Sequence, residues 1–265
     1  WQNIYGGTNA DFLCAADKTI DGGFVMAGIS YSDSSGNKTN NLTGYGKCIW
    51  VIKIDSLGQI VWQRDLVPLN QFYHLQVYNI KSFNDGSFYV TGQNDYWVDD
   101  FGYGDAVQYQ FKLDSIGNTI WSNEFYSHYN TWDEYFDDVN HKELLDTTQN
   151  GELLYGYSIS AAPLVSVGSE VGIAKLDSVG NINSQFGIHG FKYDGLECVS
   201  HTKDGGCFLG ITSNSNISSS KSQGTFGDYD YWIVKLDSLN NIEWDKTIGG
   251  SGIDNLESIK QTSDG

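Results

Sequence analysis

The sequence predicts an all-β protein: a β-propeller of four-stranded antiparallel blades, with about 60 residues per repeat, four full repeats and a partial fifth. Three observations carry this reading. A Lys-Ile/Leu-Asp-Ser segment recurs at Lys53–Ser56, Lys112–Ser115, Lys175–Ser178 and Lys235–Ser238, at intervals of 59, 63 and 60 residues. An Asp-Gly or Asn-Gly pair recurs at Asp21-Gly22, Asp85-Gly86, Asn150-Gly151, Asp204-Gly205 and Asp264-Gly265. No segment sustains a 3.6-residue apolar period, and Trp132 to Leu145, the nearest to one, aligns with a strand of the third repeat. Four-stranded antiparallel units repeating along a chain are the signature of propeller blades, because stacking buries sheet faces that one blade cannot bury alone.

In the first repeat, strand a is expected over 11–20 and strand b over 23–30, joined at Asp21-Gly22. Asp-Gly and Asn-Gly pairs tolerate the positive φ of a tight hairpin. A longer polar loop leads to strand c over 49–55, and the Asp55-Ser56-Leu57-Gly58 turn leads to strand d over 59–65. The same order places repeats at 1–61, 62–120, 121–183, 184–243 and, in part, 244–265, within a single domain. Trp62, Trp121 and Trp244 recur in strand d and read as packing residues, and Trp1 fits the same slot. A partial blade is expected to draw strand d from 1–6 and strand a from 254–263, leaving open edges at Trp1–Tyr5 and Leu256–Gln261. The chain starts inside one repeat and stops inside another, which reads as a processed or partial piece of a longer protein.

Composition narrows the function classes. The chain has 265 residues, 31 Gly, 2 Pro and a formal charge of −18. Such a field repels nucleic acid and anionic membranes, and favours cations such as Ca²⁺. No apolar run reaches the roughly 18 residues a spanning helix needs. Cys14, Cys48, Cys198 and Cys207 show no CxxC spacing, leaving free thiols and disulfides both open. His74, His128, His141, His189 and His201 have no metal spacing, so neither metal nor cofactor is assigned. A nucleophile elbow and a phosphate loop are absent. The repeated Lys-x-Asp of strand c reads as blade structure, its side chains pairing with neighbouring strands.

Trp-x₄-Gly-Gly at Trp1–Gly7 and Trp244–Gly250 precedes an acidic residue. Thr-x-Asp-Gly-Gly follows at Thr19–Gly23 and Thr202–Gly206, then Asp-Tyr-Trp-Ile-Val-Lys-Leu-Asp at Asp230–Asp237. Together they resemble the propeller repeats of secreted proteins from Bacteroidetes-type bacteria. The resemblance spans essentially the whole chain and is strongest in the first and fourth repeats. It implies an extracellular or cell-surface location. In that setting Asp-Ser/Thr followed by an apolar residue or Thr resembles the O-glycosylation sequon of exported Bacteroidetes proteins, which nominates Ser56, Ser115, Ser178, Ser238 and Thr147 as glycan acceptors.

Binding is expected on the b–c loops, at 31–47, 93–106, 159–169 and 213–229. Tyr96, Trp97, Asp99, Asp100, Tyr103 and Asp105, with Tyr129 and Trp132, combine aromatic platforms with carboxylates, a pairing suited to saccharide or Ca²⁺. The expected function is a non-enzymatic extracellular binding or scaffold protein whose loop face takes a glycan or a surface protein. Self-assembly through blade edges into a filament or surface layer is the first alternative. A propeller glycoside hydrolase, needing only two carboxylates across a cleft, is the second.

Overall fold

The computed structural model describes residues 1–42, 46–68, 74–97, 103–130, 144–147, 153–159, 170–177 and 179–265. They contain sixteen strands and no helix. The chain falls into two compact units, Trp1–Trp132 and Asp133–Gly265. Each unit holds two four-stranded sheets in which sequential strands pair antiparallel.

In the first unit, β1 (Asp11–Lys18), β2 (Phe24–Ser30), β3 (Cys48–Ile54) and β4 (Ile60–Leu66) form one sheet. The second sheet comprises β5 (His74–Ser82), β6 (Phe88–Trp97), β7 (Tyr103–Leu113) and β8 (Thr119–Asn130). In the second unit, β9 (Leu144–Thr147), β10 (Leu153–Ile159), β11 (Glu170–Leu176) and β12 (Ile182–His189) form the third sheet. The fourth comprises β13 (Asp194–His201), β14 (Cys207–Ser213), β15 (Asp230–Leu236) and β16 (Ile242–Ile248). Strands a to d of the sequence reading are therefore the four strands of each sheet.

The hairpins form for local reasons. Thr19 N donates to Gly23 O and Gly22 N to Thr19 O, with Gly22 at φ 82°. This closes a type I turn whose last residue is left-handed, a conformation only glycine adopts without steric cost. At the c–d turn of the fourth repeat, Asn240 takes that role at φ 68°, the one non-glycine at positive φ among the described residues. Asparagine tolerates the left-handed region better than other side chains.

One packing rule serves both units. In the first, Val25, Ala27, Ile49 and Val51 of the first sheet meet Val77, Val90, Tyr109 and Phe111 of the second. In the other, Leu154, Val171, Ile173 and Ile188 of the third sheet meet Leu196, Leu209, Trp232 and Val234 of the fourth. Strand register shows these positions to be equivalent. Leu13, Val77 and Leu196 pair with Gly28, Gly92 and Ile211, and each stands immediately before a β-bulge. The bulge re-aims the strand as it crosses the neighbouring sheet.

The strand-d tryptophan of the first repeat fastens it to the second, whereas Trp121 and Trp244 meet Tyr89 and Phe208 of their own sheets. Trp62 of β4 is buried, donates Nε1–H to Ser115 O at 3.1 Å and meets Phe88 edge-on at 5.4 Å. Its ring occupies the space above Gly117. Ser184, where the third repeat lacks Trp, is reached by Asn240 Nδ2 of the following turn at 3.3 Å.

Two expectations fail at the chain termini. Residues 1–7 and 254–263 are not strands. A strand needs a hydrogen-bonded neighbour, and these segments are instead held by isolated bonds. Trp1 Nε1 donates to Ser56 O and Tyr5 Oη to Gly58 O. Leu256 N donates to Thr212 Oγ1, and Gln261 Oε1 accepts from Lys203 N. Trp1–Tyr5 and Leu256–Gln261 are thus not open strand edges.

Candidate functional site

Each Asp-Ser turn is organised by its aspartate. Asp55 Oδ1 accepts from Leu57 N at 2.9 Å and Gln59 N at 2.8 Å. Asp114, Asp177 and Asp237 accept from Ile116 and Asn118, Val179 and Asn181, and Leu239 and Asn241. Bonds from the Asn241 side chain and backbone hold Asp237 below the usual carboxylate range. These aspartates are occupied as turn acceptors, which leaves the next residues facing water. Ser56, Ser115 and Ser238 are exposed. So are the apolar residues that follow them: Leu57 is 69% exposed, Ile116 59% and Leu239 79%. Packing gives no reason for aliphatic side chains there. Thr147 ends β9, and Ser178 lies outside the described residues.

In the first and fourth repeats the lysine of strand c pairs with the a–b hairpin, whereas Lys175 of the third donates to Ser238 O at 2.8 Å. Lys53 Nζ lies 2.7 Å from Asp21 Oδ2, and Lys235 Nζ lies 2.9 Å from both Asp204 and Glu243. The charged bond from Lys53, then that from Thr19, lowers the Asp21 carboxyl to about 2. Asp55, the other member of Lys-x-Asp, caps its own turn and does not pair across strands.

A buried polar network joins the Gly-Gly motif to the b–c loop. Asp11 accepts from Ser30 Oγ at 2.5 Å, Gly7 N at 2.8 Å and Ser32 Oγ at 3.1 Å. Asp194 repeats this with Ser213 at 2.5 Å, Gly190 N at 2.8 Å and Ser215 at 2.9 Å. Burial raises the Asp194 carboxyl above its ordinary range. Gly250 N and Asp254 form the same four-residue link at 2.8 Å. Beside these networks lie two fully buried lysines. Lys38 contacts Asp65 at 2.5 Å with its ammonium 5.7 Å from the Trp50 ring. Lys221 donates to Ser213 Oγ at 2.7 Å, 5.4 Å from Trp232. Burial lowers the Lys221 ammonium. Neither lysine was a sequence expectation. The signal was their matching placement in the polar loops of the two best-matched repeats, ahead of Trp50 and Trp232.

The aromatic set expected in the second b–c loop lies elsewhere. Tyr96 and Trp97 end β6, Tyr103 and Asp105 begin β7, and Tyr129 lies near the end of β8. The 93–106 segment is thus mostly strand, as suits its Tyr, Trp and Val content. Register brings these positions together: Tyr96 pairs with Asp105 and Asp105 with His128, while Gly104 pairs with both Trp97 and Tyr129. Strands β6, β7 and β8 are 10, 11 and 12 residues long, against 7 for β2, β3 and β4, so this set rides on an extension of the sheet. Asp99, Asp100 and Trp132 lie outside the described residues.

All four cysteines are free, and only Cys14 is exposed. Burial raises the Cys48 thiol to about 12 and Cys207 to about 11, which holds both protonated and unreactive. Among the described residues, no group of three or more His, Cys, Asp or Glu could hold a metal ion, and no helix is long and apolar enough to cross a membrane.

These features define an all-β protein of four antiparallel sheets built on a common repeat. No family model and no curated protein matches the chain. Among solved structures it is similar to a protein of unknown function from Bacteroides caccae, known from a crystal structure at 1.35 Å resolution. The two are 10% identical, with a TM-score of 0.39, over 91% of this chain and 83% of that one.

Proposed function

We propose that the chain is a non-catalytic, extracellular binding protein of β-propeller architecture, and that the extended end of its second sheet binds glycan. The register that pairs Tyr96 with Asp105, two residues from Tyr103, places these three on one face of the sheet and carries this reading. Aromatic faces match the apolar face of a sugar ring, and carboxylates accept from its hydroxyls. The repeated face-to-face packing supports blades. The occupation of Lys53, Asp21, Asp55 and Asp11 by bonds within the repeat supports a structural rather than chemical role for the recurring charges. Binding of the full chain to a glycan array, followed by calorimetry on the best ligand, tests it. Tyr96→Ala and Tyr103→Ala are each expected to weaken binding about 10-fold or more, equivalent to about 1.4 kcal/mol. A chain that binds no saccharide, or whose affinity ignores both substitutions, would refute the reading.

A second reading concerns modification. Exposed Ser56, Ser115 and Ser238, each followed by an aliphatic residue that is more than half exposed, suit an enzyme that reads Asp-Ser-aliphatic turns and attaches a glycan to the hydroxyl.

A further inference from the structure

At three c–d turns the serine carbonyl receives a donor from earlier in the chain. Ser56 O accepts from Trp1 Nε1 at 2.9 Å, Ser115 O from Trp62 Nε1 at 3.1 Å, and Ser238 O from Lys175 Nζ at 2.8 Å. Where the donor is an indole, its ring lies over the glycine two residues beyond the serine. A methyl group on Gly58 would sit 2.9 Å from the nearest carbon of Trp1, and one on Gly117 would sit 2.8 Å from the nearest carbon of Trp62.

Between the third and fourth sheets every part of this contact differs. Ser184 pairs with Lys175 as Trp62 pairs with Lys53, so serine stands in the tryptophan's place. Asn240, buried and at φ 68°, stands in the glycine's place, and its Nδ2 donates to Ser184 Oγ at 3.3 Å. The lysine changes partner as well. Lys53 and Lys235 are held by Asp21 and Asp204, whereas the third repeat carries Asn150 at that place in the sequence, outside the described residues. An amide has no charge to hold an ammonium, and Lys175 reaches the next turn instead, where it brings the donor that the missing indole would have brought.

The contacts therefore come as matched pairs, Trp on Gly or Ser on Asn, and the pairs do not mix. Any Cβ at the turn position falls inside the roughly 3.5–4.0 Å that resting carbon atoms keep from one another, so Asn240 takes the space an indole needs.

We propose that Lys175, Ser184 and Asn240 form a sorting lock, which admits the third repeat onto the fourth and rejects a repeat that carries tryptophan in strand d. Chains of similar repeats are prone to docking out of order, and specificity is gained by building a clash against the wrong neighbour.

The test is a set of substitutions in the full chain, followed by thermal unfolding with circular dichroism. Ser184→Trp should lower the melting temperature by roughly 3–8 °C through overpacking against Asn240. Adding Asn240→Gly should bring it back to within about 2 °C of the parent, because the indole then lies over glycine as Trp62 does. Should Ser184→Trp alone fail to fold, recovery of folding by Asn240→Gly reads the same coupling. Lys175→Met should lower the melting temperature of the parent and leave that of the double variant unchanged, since the indole then donates to Ser238 O. On refolding from urea the double variant should return a smaller native fraction than the parent, because tryptophan-bearing repeats now fit the fourth. Failure of Asn240→Gly to rescue Ser184→Trp, an equal loss from Lys175→Met in both backgrounds, or equal recovery on refolding overturns the proposal.

Discussion

Gly117→Ala isolates the contact by which one repeat holds the next. Gly117 has φ 83°, and a methyl group there would lie 2.8 to 3.0 Å from three ring carbons of Trp62. Carbon atoms at rest sit about 3.5–4.0 Å apart. The indole is pinned by its bond to Ser115 O and by Phe88, so it cannot swing aside. Two costs then add: about 1–2 kcal/mol for alanine in the left-handed region and about 1–3 kcal/mol for overpacking. Gly22→Ala separates them. Gly22 has φ 82° with nothing within 4 Å of the added carbon, so it incurs the backbone cost alone. Urea denaturation followed by circular dichroism should place Gly117→Ala below Gly22→Ala by about 1–3 kcal/mol. In a Trp62→Ala background, itself destabilised by about 3–5 kcal/mol, the penalty of Gly117→Ala should fall to that of Gly22→Ala. Equal penalties for the two glycines, or no coupling to Trp62, would show that the indole does not hold this turn.

Two further outcomes follow from the turns. The Asp21 carboxyl lies below its ordinary value, so its pairing with Lys53 stabilises the fold above about pH 4 and is lost as the pH falls towards about 2. With Asp21 more than half exposed, screening limits the contribution to about 1 kcal/mol or less. Asp21→Asn should flatten that part of the acid limb of a stability-against-pH curve; parallel curves would refute the pairing. For the exposed serines, peptide masses from chain recovered from its native host should show hexose-sized additions at Ser56, Ser115 and Ser238, and unmodified masses at all three would remove the modification reading.

Much of this was legible in the sequence because turn chemistry is local. Asp21-Gly22 and Asp55-Ser56-Leu57-Gly58 announce hairpins through the residue types that positive φ and side-chain capping require. Strand limits in the first repeat fall within two residues of expectation. Long-range consequences were not legible. Tyr96 and Trp97 read as loop because polar neighbours mask a strand extended by pairing with Tyr103–Asp105. Residues 1–6 read as strand because Trp1 carries the right motif, yet pairing needs a neighbour that no local pattern supplies. Lys38 carries no local signal of burial, which depends on Trp50 and Asp65, brought together only by the completed sheet.

Those two buried lysines make the protein its own chemical clock. Lys38 belongs to the first compact unit and Lys221 to the second, and both are shielded while the chain's exposed amines react. Acylation at either position requires that unit to open, so the two modification rates report the opening free energy of each half separately in one unlabelled sample.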